Sequence, residues 1–233
     1  GAGEARIGAD QNVSVIVKVM YTSNFTTHFH QVTGNEKNET DIKQHFKKIF
    51  QKVEDKFRNF SIPLNITVKN VSLMDNLTIY NHTKKLTIDS EKTLEKVKEY
   101  WNDTKAEKNE AYFLFVRDAF LEEEPVNTSA PTGVVATNGT LCSKDASAAV
   151  VRDMFPQNDT YYNRTARGLA SMLGAWKVRF FGWYNSTELR KQIDPVLMRC
   201  KTPTAEESAG ANASAVPEDD SSTTECTTSR QPS

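Results

Sequence analysis

Short strand-like patterns alternate with longer helical patterns along this chain, and this alternation restricts the folds that the chain can adopt. Residues 13–20 place Val at every second position from Val13, which is typical of a strand with one buried face. Residues 112–117 form a short apolar run, which is typical of a buried, parallel strand. Further strand patterns cover residues 64–73, 132–137 and 148–151. The sequence therefore predicts an α/β fold with a mixed, mostly parallel sheet.

The strand pattern of residues 64–73 is interrupted part-way. Leu64, Ile66 and Val68 alternate, whereas Val71 and Leu73 continue the alternation one position out of register. Because side chains in a strand repeat every two residues, one inserted residue produces such a shift. The pattern indicates a β-bulge or the end of the strand.

Three segments repeat apolar residues at helical spacing, namely residues 41–57, 89–101 and 159–176. The first carries phenylalanines on one face, and Asp41 is the expected N-cap. Its opposite face is rich in lysine, which would suit a membrane surface or a calmodulin-like groove. We favour the simpler interpretation, in which the apolar face packs on the sheet and the lysines are solvated.

Asparagine occurs almost entirely in one kind of tripeptide. Of 17 Asn residues, 15 begin an Asn-x-Ser/Thr sequence in which x is not Pro, where chance would give about three. This tripeptide accepts N-linked glycans, which are added in the secretory pathway. The sequence therefore predicts a secreted, heavily N-glycosylated chain. The predicted sites are Asn12, Asn24, Asn38, Asn59, Asn65, Asn70, Asn76, Asn81, Asn102, Asn127, Asn138, Asn158, Asn163, Asn185 and Asn212.

The bulk composition narrows the classes of partner. The formal net charge is -1, whereas a nucleic-acid-binding domain carries a clear basic excess. No apolar run reaches the roughly 18 residues that cross a bilayer. We therefore expect no nucleic-acid partner and no membrane insertion. Residues 1–11 are expected to be an N-terminal extension, residues 12–200 one domain, and residues 201–233, rich in Ser, Thr, Pro and Glu, a disordered tail.

Three cysteines suit an oxidising compartment, in which two form a bridge and one thiol is left over. The sequence allows three pairings. We favour Cys142–Cys200, since both residues lie in the part that is expected to be structured. Closing a loop of that length stabilises a fold by roughly 4 kcal/mol on the chain-entropy model. Cys226 lies in the tail, where it can pair with another chain or with a small thiol.

Three stretches carry a resemblance to a known family. SIPLNITVKNVSL resembles the segment that enters the second strand of the reprolysins, the adamalysin-like branch of the metzincin zinc proteases. GVVATNGTLCSKDASAAVV resembles the edge strand of that family and the Cys that follows it. RGLASMLGAWK aligns without gaps on the active-site helix, whose pattern is HExxHxxGxxH. The resemblance covers roughly residues 12–200, and it implies a metzincin-like fold with three main helices and a Cys142–Cys200 bridge.

The chain departs from this family at every position that would bind zinc. On the alignment, the three ligand positions hold Arg167, Ser171 and Lys177, and Gly168 replaces the general base. A catalytic zinc needs three imidazole or carboxylate ligands and an open position for water, and Arg remains protonated. Only Gly174, the turn residue of the pattern, is retained. The comparison with the family therefore implies a pseudoprotease that has no bound metal, no cofactor and no catalytic residue.

Two further departures agree with this expectation. Only 22 residues separate Lys177 from Cys200, too few for the Met-turn and lower subdomain of the family, so a truncated C-terminal subdomain is expected. In addition, Asn138 would lie on the strand that holds the substrate peptide. A glycan at Asn138 would crowd the substrate groove.

Other catalytic or metal chemistry has little support in the motifs. His28 and His30 would present two imidazoles on one face of a strand, as a metal pair does, but two solvent-facing histidines are the simpler interpretation. The sequence contains no GxSxG motif and no glycine-rich phosphate loop. Ser171 has no histidine nearby in the sequence that would activate it.

The chain is also similar, in overall character, to the immunosuppressant glycoproteins of tick saliva. The similarity consists of the density of glycosylation tripeptides, the polar tail and the degenerate motif. It implies a secreted salivary immunomodulator that binds a host extracellular or cell-surface immune protein. Two alternatives stay open, namely an extracellular structural or coat glycoprotein and a hydrolase with an unconventional metal site.

Overall fold

The computed structural model describes residues 12–34, 38–81, 83, 87–121, 133–153, 155, 161–175 and 186–201. The expected N-terminal extension, Cys226 and the expected tail beyond Lys201 lie outside these residues. The elements are β1 (Val13–Tyr21), α1 (Ser23–Thr33), α2 (Glu39–Asn59), β2 (Leu64–Leu73), β3 (Thr87–Ile88), α3 (Ser90–Asp103), β4 (Glu110–Val116), β5 (Ala119–Phe120), β6 (Val134–Ala136), β7 (Ala148–Arg152), α4 (Asn163–Met172) and α5 (Ser186–Lys201).

The main sheet confirms the predicted α/β class. Its five strands lie in the order β2-β1-β4-β7-β6. All neighbours run parallel except β6, which is antiparallel to β7 at one edge. Parallel neighbours need a long crossover, and α2 and α3 lie on the connections that follow β1 and β2. A separate parallel pair, β3 and β5, has two residues in each strand, too few for a sequence period to reveal it.

Helices pack on both faces of the main sheet. Alternate valines of β1 face the first core cluster, which includes Phe46 and Phe50 of α2 and Leu169 of α4. Met20, the next residue of β1 after Val19, faces a second cluster with Trp101 of α3. Every residue of β4 is buried, because apolar clusters lie on both of its sides. Burial on both sides explains why the sequence shows a continuous apolar run at residues 112–117.

The predicted bulge is confirmed in β2. Val17 of β1 pairs with Val68, whereas the next residue, Lys18, pairs with Asn70. Lys69 is therefore the extra residue of the bulged strand. A bulge redirects side chains locally, and this one brings the Lys69 ammonium to 3.1 Å from the carboxylate of Glu110 on β4.

The three predicted helices are present as α2, α3 and α4, but five helices lie within the described residues, so the expected number is wrong. The missed helix α1 has only a short apolar stripe, since Phe25 and Phe29 are its buried residues. The expected N-cap of α2 is also wrong: Asn38 caps the helix, because its side chain accepts a hydrogen bond from the Thr40 amide at 3.0 Å. Asp41 lies in the first turn.

The missed helix α5 reaches the end of the described residues. Its last residue is Lys201, which the sequence assigns to the tail. Pro195 lies inside the helix. Because proline disfavours the interior of a helix, its presence in the sequence argues against predicting a helix there. Among the described helices, none is both long enough and apolar enough to cross a bilayer.

Candidate functional site

Helix α4 carries the positions that the family resemblance assigns to a zinc site. Seven of its ten residues are buried, and three of those are Ala166, Gly168 and Ala170, whose small size lets the helix approach the sheet closely. Arg167, Gly168 and Ser171 all lie on this helix. Lys177, the third ligand position, lies outside the described residues.

Gly168, at the position of the general base, faces the sheet. A Cβ atom placed there would lie 3.2 Å from Phe113 Cε1 and 3.3 Å from the Ala149 Cβ atom. Both distances are shorter than the roughly 3.5–4.0 Å of a relaxed carbon contact. A carboxylate side chain at this position would start inside the apolar core, where an unpaired charge is strongly disfavoured.

Ser171, at the second ligand position, already has a hydrogen-bond partner. Its side chain is buried, and the hydroxyl donates to the backbone oxygen of Thr137 at 2.9 Å. The Gly139 amide in turn donates to the Ser171 carbonyl at 2.8 Å. These two bonds fasten the segment after β6 to the end of α4. Gly174 follows the helix with a φ of 99°, a backbone conformation that favours glycine and suits a turn.

Two cations meet near the first ligand position. Lys56 of α2 donates through Nζ to Asn163 Oδ1 at 2.8 Å, and Nζ lies 5.4 Å from the centre of the Tyr162 ring. Burial lowers the pKa of Lys56, and the charge of Arg167 lowers it further. Burial also lowers the pKa of Arg167. A guanidinium that repels a neighbouring ammonium would also repel a divalent cation.

The side chains on α4 do not fit a catalytic zinc. Arg167 has no lone pair to offer a metal, Gly168 has no side chain, and the Ser171 hydroxyl is engaged with Thr137. Elsewhere in the described part of the chain, no group of three His, Cys, Asp or Glu side chains is arranged to hold a metal ion. The contacts that the structure shows for Gly168 and Ser171 are packing against the sheet and a hydrogen bond to Thr137.

The histidine pair considered from the sequence does not form. His28 and His30 lie on helix α1 instead of a strand, and residues two apart on a helix do not face each other. A ring nitrogen of His28, Nε2, lies 2.9 Å from the Phe155 carbonyl oxygen. The interpretation of two imidazoles on one strand face is wrong, because the segment is helical. The interpretation of two solvent-facing histidines is also wrong, because both side chains are half-buried and the ring nitrogens of His30 are covered.

A buried histidine–aspartate contact escaped the sequence analysis. His45 Nε2 of α2 lies 2.9 Å from Asp153 Oδ2, just after β7, and both side chains are almost fully buried. Five aromatic rings surround the imidazole, with centroids 4.8–6.0 Å away. The signal in the sequence is a histidine next to Phe46 on the apolar face of a helix, which indicates a buried partner but does not say which one.

The Cys142–Cys200 disulfide is present. The two Cα atoms are 5.0 Å apart and 58 positions separate the residues in the sequence. Next to it, the Arg199 guanidinium donates to the carbonyl oxygens of Gly139 and Leu141 at 2.7 and 2.6 Å. The bridge and these two bonds tie α5 to the segment between β6 and β7.

The asparagines of the glycosylation tripeptides lie at the surface wherever the structure describes them. Nine of the eleven described asparagines are exposed, and Asn81 and Asn163 are half-buried. The other four, which lie outside the described residues, are Asn127, Asn158, Asn185 and Asn212. Attachment of glycans stays a prediction, and the nine exposed asparagines are accessible to it.

A cavity of about 400 Å³ lies between α3 and the segment after β6. Its lining includes Lys98 and Asn102 of α3, together with Thr137 and Asn138. Asn138 lies two residues beyond the end of β6, whereas the sequence places it on the strand. Glycans on Asn102 and Asn138 would both stand at this cavity.

Comparisons with known proteins identify neighbours by structure only. No protein-family model matches the chain, and no curated protein matches its sequence. A chain in the structure of a chaperone–substrate complex is similar at 6% identity and a TM-score of 0.49, over 81% of this chain and 35% of that one. This chain therefore spans about a third of the length of that neighbour.

Two other neighbours are peptidases or peptidase-like proteins. Archaemetzincin from Methanopyrus kandleri is similar at 8% identity and a TM-score of 0.42, over 81% of this chain and 97% of that one. A zinc-dependent peptidase from Methanocorpusculum labreanum is similar at 10% identity and a TM-score of 0.37, over 79% and 100%. At these identities and scores, none of the three neighbours assigns a family or an activity to this chain.

Proposed function

We propose that this chain is a secreted, N-glycosylated pseudoprotease that acts by binding a host extracellular or cell-surface immune protein. It works as an immunosuppressant of the kind that tick saliva contains, and it does not cleave peptides. The observation that supports the proposal is the composition of α4, where Arg167 and Ser171 stand at positions that the family resemblance assigns to metal ligands and the Ser171 hydroxyl donates to Thr137. A scaffold that has no catalytic group retains its surface for recognition.

Secretion is supported by the asparagines and by the disulfide. Nine of the eleven described asparagines of the tripeptides are exposed, as a glycan attached to a folded protein requires. The Cys142–Cys200 bridge belongs in an oxidising compartment. Both features suit a protein that passes through the secretory pathway.

Direct tests are glycan mapping and capture of a partner from host material. The chain is secreted from eukaryotic cells, its glycans are mapped by mass spectrometry after enzymatic release, and the glycosylated protein is used as bait in host plasma and leukocyte lysate. We expect occupied sites among the nine exposed asparagines and one saturable partner whose capture parallels the suppression of lymphocyte proliferation. Unoccupied asparagines would contradict the secretory route, and peptide cleavage by the purified chain would contradict the pseudoprotease.

An extracellular coat glycoprotein is the second candidate, and the position of the asparagines favours it. Asn65 and Asn70 lie on β2, one edge strand of the sheet, and Asn138 follows β6 at the other edge. Glycans at both edges would cover much of the molecule. The capture experiment separates the two candidates, because a coat protein retains no defined immune partner.

A further inference from the structure

A groove of about 420 Å³ lies along the edge strand β2, and all the charged side chains that line it are positive. The lining of this β2-edge groove contains four lysines, Lys18, Lys43, Lys47 and Lys69, and no carboxylate residue. Its other lining includes Tyr100 and Asn70. The whole chain carries a formal net charge of only -1, so the excess of positive charge is local to this edge.

Two of these lysines come from α2. Lys43 and Lys47 are one helical turn apart and exposed, so their like charges repel each other. Within the described residues, neither lysine forms an ion pair with a carboxylate. Folding therefore leaves these two ammonium groups together without a balancing anion.

The other two lysines come from the sheet. The Lys18 ammonium donates to the Tyr100 hydroxyl at 2.8 Å and lies 4.6 Å from the centre of that ring, so its partner is neutral. Lys69, the extra residue of the bulge, pairs with Glu110 at 3.1 Å. The bulge thus adds a fourth cation, and three of the four lysines have no carboxylate partner among the described residues.

The lysines of α3 show the opposite arrangement. Lys92, Lys96 and Lys98 each have a carboxylate oxygen within 3.4 Å on the same helix or at its cap. Charges on an ordinary solvated helix are balanced in this way. The β2-edge groove differs from α3 in this respect, because three of its four lysines have no carboxylate partner among the described residues.

We propose that the β2-edge groove binds a sulfated polysaccharide of the extracellular matrix or cell surface. Sulfate groups supply the missing negative charge, and Tyr100 and Asn70 offer a ring face and an amide to a sugar. The four ammonium groups come from three elements, since Lys43 and Lys47 lie on α2, Lys18 on β1 and Lys69 on β2. A polymer that carries several sulfate groups can contact more of these lysines at once than a single small anion can. The proposal relies on the proposed function only for the extracellular location.

Asn70 makes binding dependent on glycosylation. It lines the groove and begins a glycosylation tripeptide. A glycan on Asn70 would occupy the space of the polysaccharide. The Asn70→Gln variant therefore presents the groove in its accessible form.

The test measures binding of the secreted chain to immobilised heparin, used as the sulfated probe, in both the natural and Asn70→Gln forms. We expect the Asn70→Gln form to stay bound at an ionic strength of about 0.15 M. Replacing Lys43 and Lys47 by Gln in that form should weaken binding about tenfold, because two charge contacts and their released counterions are lost. The matched control replaces Lys92 and Lys96 by Gln, which removes the same total charge and should leave the affinity unchanged.

Three results would overturn the proposal. The first is that the Asn70→Gln form does not bind heparin at that ionic strength. The second is that the two pairs of lysine substitutions weaken binding equally. The third is that desulfated heparin, inorganic phosphate or single-stranded DNA competes for the groove as well as soluble heparin does, which would indicate unspecific attraction of anions. None of these results bears on the proposed function, because glycan mapping and capture of an immune protein test that separately.

Discussion

Individual side chains on α4 support the proposal that this chain is not a peptidase. Ser171 donates a hydrogen bond to Thr137, and Arg167 is a cation at a position that the family resemblance assigns to a metal ligand. The assignment of these residues to ligand positions comes from the family resemblance and stays a prediction. Their contacts could not be predicted, because Thr137 is 34 positions away in the sequence and the contact forms only when β6 meets α4.

Restoring the general base should damage the fold instead of creating an enzyme. In Gly168→Glu, the new side chain would be directed at Phe113 and Ala149, and the buried carboxylate would have no partner. We expect the free energy of unfolding to fall by about 3 kcal/mol or more, measured by denaturant unfolding. The control Gln44→Glu adds the same charge at an exposed position of α2 and should change stability by less than about 0.5 kcal/mol. Equal stability of the two variants would show that Gly168 does not face the core.

At the scale of elements, the pair His45–Asp153 holds α2 against the end of β7. Removing one partner of a buried pair leaves the other charge or dipole without compensation. We expect His45→Ala to lower the free energy of unfolding by about 3–5 kcal/mol. The matched control is His28→Ala, which removes a half-buried histidine bonded only to a backbone oxygen among the described residues and should cost about 1 kcal/mol. Similar losses for both variants would contradict the special role of the pair.

The disulfide has the same kind of role for α5. Because it closes a loop with a sequence separation of 58, Cys142→Ala together with Cys200→Ala should cost about 4 kcal/mol. The measurement is denaturant unfolding at neutral pH, with Cys226→Ser as the control that leaves the bridge intact. A double variant as stable as that control would show that the bridge does not stabilise the fold.

Most elements follow from sequence periodicity, and the exceptions have physical causes. The strands of the main sheet and helices α2, α3 and α4 have the spacing that burial on a sheet imposes, and even the bulge at Lys69 appears as a shift of register. Helix α1 was missed because only two phenylalanines form its buried stripe, and α5 because Pro195 interrupts its pattern. Both helices are stabilised by contacts with residues that are distant in the sequence, and the local spacing of apolar residues does not reveal such contacts.

At the scale of the whole molecule, the candidate site combines predicted and unpredicted parts. The Cys142–Cys200 bridge was the favoured one of three possible pairings and is confirmed, whereas the assignment of α4 residues to ligand positions stays a prediction. The approach of Lys56 to Arg167 and the lysine cluster at the β2 edge could not be predicted, because they join α2 to α4 and to the sheet. Three-dimensional packing alone brings these charges together.

Zinc content tests the pseudoprotease account most directly. The secreted chain is equilibrated with zinc by dialysis, separated from unbound metal and measured by inductively coupled plasma mass spectrometry. The account predicts far less than one zinc per chain, and the same small amount in Ser171→Ala, because α4 offers no set of metal ligands. One zinc per chain that disappears in Ser171→Ala would contradict the account, since it would place a metal on the helix that we describe as unable to hold one.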